Sequence, residues 1–413
     1  MGPITLFDKS FLQSLSVDES LWFDHFFLTN VCPLFYVETL ADLSKTVREG
    51  RTPEQEVELI ADKFPEMSGN PCAHHTDLCV SNLLGYPVPM TGQIPLAGGR
   101  LVKTDGKSGA VFARSPEAEA FSRWQRREFL EIERRYAKAW REALSALDLG
   151  EASRRLRELG IDPKSCKDLE AAKTLAMMVA SDADKPHLSM TLALRLLNIP
   201  PRLHGEIVRN WGLHNFPPLA DYAPYATHVL SVEIFFQIAL AANLISSERP
   251  SNRVDVSYLF YLPFSMMFVS SDRLHRRCAP LFLRSDQDFV WGPDLKSNLG
   301  ELNSYYMQLP DSTKEQGVLS FAGEPPELGN RLVAKLWDQF LLKYGTEGQA
   351  RVTDGSPESP PTPEEINRMA DAPSLSPDEV DFDPLDPGRF VFERRVSRRK
   401  GAWYQVPKSL SGD

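Results

Sequence analysis

The sequence predicts an α/β fold interrupted by a large, mostly α-helical block, and three observations carry that expectation. Short β-prone apolar runs alternate with helix signals over the first 45 residues. The same alternation returns only near residue 225. Between them, apolar residues recur at helical spacing, with a single hairpin as the only strand signal. A chain of 413 residues, 42% hydrophobic and 25% charged, has room for two or three domains or for one domain with a large insertion.

Taken in order, Ile4-Thr5-Leu6-Phe7 is an apolar run that ends at Asp8. Ser16 with Glu19 forms a capping box, which predicts a helix reaching about Leu28. Leu34-Phe35-Tyr36-Val37 is expected to be a second strand, with Glu38 opening the next helix. Residues 66–114 are rich in Pro and Gly and predict loops around one hairpin, whose strands flank Asp105-Gly106. Ser115-Pro116-Glu117 starts a helix. Phe129, Ile132, Tyr136, Trp140 and Leu144 then form an apolar stripe, expected along one long helix that stops near Gly150. Further helices are expected over 152–159, 167–180, 188–198, 201–211 and 227–246. Asp255 is expected to open a short helix, and Met266 to Asp272 to be a strand ending in a carboxylate. Pro280 to Leu283 and Phe289 to Trp291 offer further strands, and Leu328 to Tyr344 an amphipathic helix. Residues 353–388 are Pro- and acid-rich without periodicity, the composition of a disordered linker, and the stretch after Arg389 is basic with interleaved aromatics.

The formal charge of −10 argues against a surface that condenses as a whole onto nucleic acid, while leaving space for a local basic patch. Five cysteines without regular spacing make no disulfide framework, so a reducing cytoplasm is expected. The first residues meet charge before any apolar core could form, so no secretory signal is expected. Val229 to Ile245 is broken by Glu233 and Gln237 and reads as a buried helix rather than a membrane span.

Asp8, Glu38 and Asp272 each follow an apolar run, and Asp255 begins a helix expected to pack on the sheet. In an open α/β sheet, functional groups collect beyond the carboxyl ends of the strands. Four carboxylates gathered there repel one another unless cations neutralise them, so at least one should titrate high in the absence of metal. Hard oxygen donors of this kind suit Mg²⁺ or Mn²⁺. Taken singly, each acid is explained as a cap, a turn residue or a solvated first-turn acid. Their order and context argue for a shared site.

Asp8 with Ser10 in LFDKSFLQSL, Glu38 in FYVETLADL, and Asp255 to Asp272 with the triplet Ser270-Ser271-Asp272 resemble the acidic motifs of the PIN-domain nucleases. The resemblance covers residues 1–46 and 227–300, and the long gap between Glu38 and Asp255 departs from compact members. It implies a parallel sheet flanked by helices and a nuclease core split into 1–48 and 225–345. Residues 49–224 would then be an insertion, and 346–413 a linker and basic tail. It also implies that Asp8, Glu38, Asp255 and Asp272 bind Mg²⁺ or Mn²⁺ and hydrolyse RNA, less often DNA. Ser10, Ser270, Arg273, Arg276 and Arg277 would contact substrate, with Asp42 and Asp294 as reserve ligands. Asn at Asp8 or Asp272 is then expected to abolish cleavage while sparing the fold. The rival from another class is a non-catalytic interaction or nucleic-acid-binding scaffold with a vestigial core.

Other signals weigh less. Gly106-Lys107-Ser108 ends like a phosphate-binding loop but lacks the required earlier glycine and sits in a hairpin. Cys72, His74, His75 and Cys79 have the chemistry for zinc without a second cluster, so a loop with reduced cysteines is expected. The arginines from Arg123 to Arg157 are interleaved with Glu128, Glu131, Glu133 and Glu142, the pattern of a salt-bridged solvated face.

Overall fold

A computed structural model describes residues 2–45, 50–65, 71–96, 99–104, 107–112, 115–146, 163–329, 331–349, 368, 371–376, 379 and 397–410. Its centre is a four-stranded, all-parallel sheet in the order β2-β1-β5-β6. The strands are β1 (Ile4–Phe7), β2 (Leu28–Asn30), β5 (Met267–Ser270) and β6 (Asp288–Trp291). β1 and β5 are buried along their whole length and lie side by side, Leu6 opposite Phe268. Helices cover the sheet, as parallel strands require.

β1 runs into α1 (Lys9–Ser14) and α2 (Val17–Phe26), the latter held by the Ser16–Glu19 capping box. The second strand is not Leu34 to Val37. That run lies inside α3 (Pro33–Ala41), and β2 is the three residues before it. Pro33 at the first helical position supplies a helical φ and lacks only an N–H that would have been orphaned, so the apolar run after it winds rather than extends.

After α4 (Pro53–Ala61) comes a helix where loops were expected, α5 (His75–Leu83), with Cys79 and Leu83 on its buried face. The hairpin of β3 (Gly99–Thr104) and β4 (Lys107–Phe112) is present, its Asp105-Gly106 turn lying outside the described residues. The expected long helix is two, α6 (Pro116–Gln125) and α7 (Glu131–Ser145), because Arg127 turns to a positive φ of 59° between them. The stripe on α7 is not the buried face: Ile132 and Tyr136 are exposed, while Glu133 and Ala137 point inward. Arg123 pairs with Glu133, Arg126 with Glu128, Arg127 with Glu58 and Arg134 with Glu54, so this basic region is largely neutralised.

Helices α8 (Leu169–Ala180), α9 (Pro186–Leu196) and α10 (Pro201–Leu213) follow, the expected helix over 152–159 lying outside the described residues. The first two pack, with α5, around α11 (Pro224–Ala241), which is apolar on all sides and correspondingly buried. Its Glu233 is paired with Arg253, which removes the cost of an isolated buried charge. α12 (Asn252–Ser257) and a 3₁₀ stretch from Tyr258 to Phe264 lead into β5. α13 (Arg273–Cys278) leads on to β6, α14 (Gly292–Met307) and α15 (Leu332–Gln349). Pro280 to Leu283 is not a strand: Ala279–Leu281 forms a 3₁₀ turn, where Pro280 could not have donated to a ladder.

Most of 353–388 lies outside the described residues, although Leu375 bridges Leu101 of the hairpin. Near the C-terminus, β7 (Arg399–Lys400) and β8 (Trp403–Tyr404) form a small antiparallel hairpin turned by Gly401 at φ 59°. Trp403 is buried against Trp22, and the Lys400 ammonium donates to the Phe64 carbonyl at 2.8 Å. A single hydrophobic core runs through the sheet and the helices between its halves. Among the described residues, no helix is long and apolar enough to cross a membrane.

Candidate functional site

At the carboxyl ends of β1 and β5, Asp8, Glu38, Asp255 and Asp272 line one recess of ≈ 110 Å³. Lys9, Ser10, Gln13 and Tyr258 complete its wall. Each acid arrives by a different local route. Asp8 leaves β1 as the N-cap of α1, its Oδ1 accepting from the Phe11 N–H at 2.9 Å. Asp272 leaves β5 as the N-cap of α13, accepting from the Leu274 N–H at 2.6 Å. Glu38 lies within α3 rather than at its start, and Asp255 lies in the first turn of α12, three residues after its beginning.

Of the other residues singled out by sequence, Ser10 and Ser270 both donate to Asp8 Oδ2, at 2.7 and 2.8 Å. Arg273, Arg276 and Arg277 lie exposed on α13, with Arg277 turned toward the Leu244 carbonyl. Asp42 is held in a buried ion-pair hub by Lys9 at 2.7 Å and Arg141 at 3.5 Å, and Asp294 is exposed on α14; neither lines the recess. Cys72 and Cys79 are buried free thiols, His74 caps α5, and His75 bonds to the Tyr261 hydroxyl.

Four further residues shape the site without having been singled out. The Lys9 ammonium donates to the Glu38 main-chain carbonyl at 2.9 Å, Tyr258 donates to Glu38 Oε2, and Gln13 closes one wall. The fourth, His275, sits fully buried beneath Asp8 and was legible only as a histidine three residues beyond Asp272.

The hydrogen bonds around His275 bear on its charge. Its Nε2 is 2.6 Å from the Asp255 main-chain carbonyl, which can only accept, so Nε2 carries a proton. Its Nδ1 is 2.8 Å from Ser270 Oγ and 3.2 Å from Asp8 Oδ2. Ser270 has one proton and two acceptors facing it. If that proton goes to Asp8, Nδ1 must bring its own, and the ring is an imidazolium ion-paired to Asp8. The charges agree with this count. Burial alone would push His275 down, but its hydrogen bond to Asp8 and the charges of Asp8 and Asp255 carry it up to about 9. Burial alone would likewise raise Asp8; His275, Ser10 and the Phe11 N–H outweigh it and hold Asp8 below its ordinary value.

Glu38 and Asp255 are pushed the opposite way. Burial raises Glu38, and neither Lys9 nor Tyr258 cancels it. Burial also raises Asp255; His275 opposes this, Glu38, Asp272 and Asp8 add to it, and the carboxyl reaches about 7. The recess therefore divides into a satisfied half, Asp8 with His275, and a half in which Glu38 and Asp255 resist ionisation. Among the described residues, no three acidic, His or Cys side chains stand close enough to share one ion. Carboxylate oxygens are the donors that hard divalent cations take.

Comparison with protein-family models, curated proteins and solved structures finds no match to this chain.

Proposed function

We propose that this chain is a divalent-metal-dependent nuclease with a PIN-like core, acting on RNA ahead of DNA. One observation carries the reading: four acids from separate elements, Asp8 and Asp272 far apart in sequence, line one recess at the carboxyl rim of a parallel sheet. Glu38, Asp255 and Asp272 would hold Mg²⁺ or Mn²⁺, with Asp8 acting from behind them. Such an ion supplies an activated water and stabilises charge on the phosphoryl oxygens. The protein's own part is positioning and proton handling. Lys9 fixes the α3 backbone at Glu38, and Tyr258 orients the Glu38 carboxyl. Asp255, raised to about 7 chiefly by burial, would take the ion in competition with a proton near neutral pH. His275 holds Asp8 rigid and ionised.

The test is calorimetric titration with Mn²⁺, followed by incubation of a fluorescent oligoribonucleotide with and without the ion. Saturable Mn²⁺ binding with metal-dependent cleavage, both lost in Asp272→Asn, supports the reading. One observation favours the non-catalytic scaffold instead. Asp8 already accepts from four protein donors, about as many as a carboxylate can hold, as a purely structural acid would. Absence of Mn²⁺ binding at pH 8 decides for that second reading.

A further inference from the structure

One strand beyond the recess, an arginine and a tryptophan meet at the rim. Trp291 ends β6 directly opposite Ser270 of β5, beside the segment that carries Asp272. Arg276 reaches it from α13. Its N–H bonds to the Asp272 carbonyl, and four-residue spacing puts the two side chains on one helix face. The Arg276 guanidinium lies 4.8 Å from the centre of the half-buried Trp291 ring. Arg273, three residues earlier, shares that face. Both arginines are exposed, and neither pairs with an acid among the described residues, whereas Arg123, Arg126, Arg127 and Arg134 do. An acidic protein has left these positive charges uncompensated beside its carboxylates.

The recess sets the chemistry of what enters. Its ≈ 110 Å³ is walled by Lys9, Ser10, Gln13 and Tyr258 with four carboxylates, oxygen donors that would hold a phosphate through a cation. A base attached to that phosphate would lie along the rim, where Trp291 and Arg276 stand one strand away. We propose that Arg276 and Trp291 form a stacking platform for an unpaired base of single-stranded nucleic acid, with Arg273 against its backbone. The placement of the neighbouring phosphate in the recess rests on the nuclease reading; the platform itself does not. Guanidinium and indole planes both stack on bases, and every base offers a face, so the platform is sequence-tolerant. A duplex engages its base faces internally and cannot offer one.

Fluorescence anisotropy of a short fluorescein-labelled oligouridylate, with the full chain in EDTA, tests this apart from any cleavage. The strand should bind more tightly than its duplex with oligoadenylate. Trp291→Leu, which stays apolar but removes the ring, should weaken binding about tenfold, with most of the loss recovered in Trp291→Phe. Arg276→Gln should weaken binding too, while Arg202→Gln on α10 leaves it unchanged. Equal affinity for the duplex, displacement by polyglutamate as readily as by unlabelled strand, or wild-type affinity in Trp291→Leu overturns the platform. Binding in EDTA without cleavage in Mn²⁺ keeps the platform and removes the nuclease reading. Cleavage with unchanged affinity in Trp291→Leu does the reverse.

Discussion

Asp255→Asn should make the metal-free protein more stable, because Asp255 is held where its charge is unwelcome. Its carboxyl titrates at about 7 instead of 3.8, chiefly through burial and then through Glu38, Asp272 and Asp8. The folded chain thus keeps a proton that the unfolded chain has already released. Stability contributed by this group falls as pH rises from about 4 and is fully lost above about 7. The displacement from 3.8 to about 7 corresponds to about 4 kcal/mol near neutral pH. Asp255 keeps some contact with solvent, which screens its neighbours' charges, so about 2 kcal/mol is expected. Asn removes the charge and keeps the shape. Denaturant unfolding in EDTA at pH 8 should show the variant more stable by about that amount, with the gap closing at pH 4. Mn²⁺ should then stabilise the wild type and leave the variant unmoved. A variant less stable than wild type at pH 8, or a difference independent of pH, would refute the reasoning.

Asp8→Asn should not spare the fold, contrary to the expectation from sequence. It leaves the buried His275 imidazolium without its partner, at a cost of about 3 kcal/mol at pH 7 by chemical denaturation. That pair's contribution is complete below about pH 6.5 and lost as pH rises through about 9, so the penalty should shrink at pH 10. Asp272→Asn retains a good N-cap and should cost under about 1 kcal/mol, making it the cleaner test of chemistry. Mn²⁺ affinity measured by calorimetry should rise about tenfold between pH 6 and 8 as the Asp255 proton ceases to compete, with one ion per chain because His275 already neutralises Asp8. Trp403→Ala should cost about 4 kcal/mol in a denaturant melt, since it empties the site against Trp22 and removes one of the two indole N–H donors to Asn303 Oδ1.

Signals that act within a few residues were legible in the sequence. β1, the Ser16–Glu19 box, the Ser115 cap and β5 ending before Asp272 depend on neighbours one to four positions away. Sequence also picked out the four acids that line the recess. Where a run suited both states, local pattern failed: Leu34 to Val37 has strand composition, yet Pro33 and the packing of Phe35 on Phe7 wind it into α3. On α7 the spacing was helical, but the surface that met the body was the Glu133–Ala137 side, leaving Ile132 and Tyr136 outside. The internal chemistry of the site belonged wholly to tertiary structure. That Asp8 is paired depends on His275 bonding to it across the sheet rim, and that Asp255 titrates high depends on its burial beside Glu38, Asp272 and Asp8. The contacts of Asp8 with His275 and Ser270 join residues more than 260 positions apart. No local propensity encodes them, because the burial that shifts each charge exists only once the chain has closed.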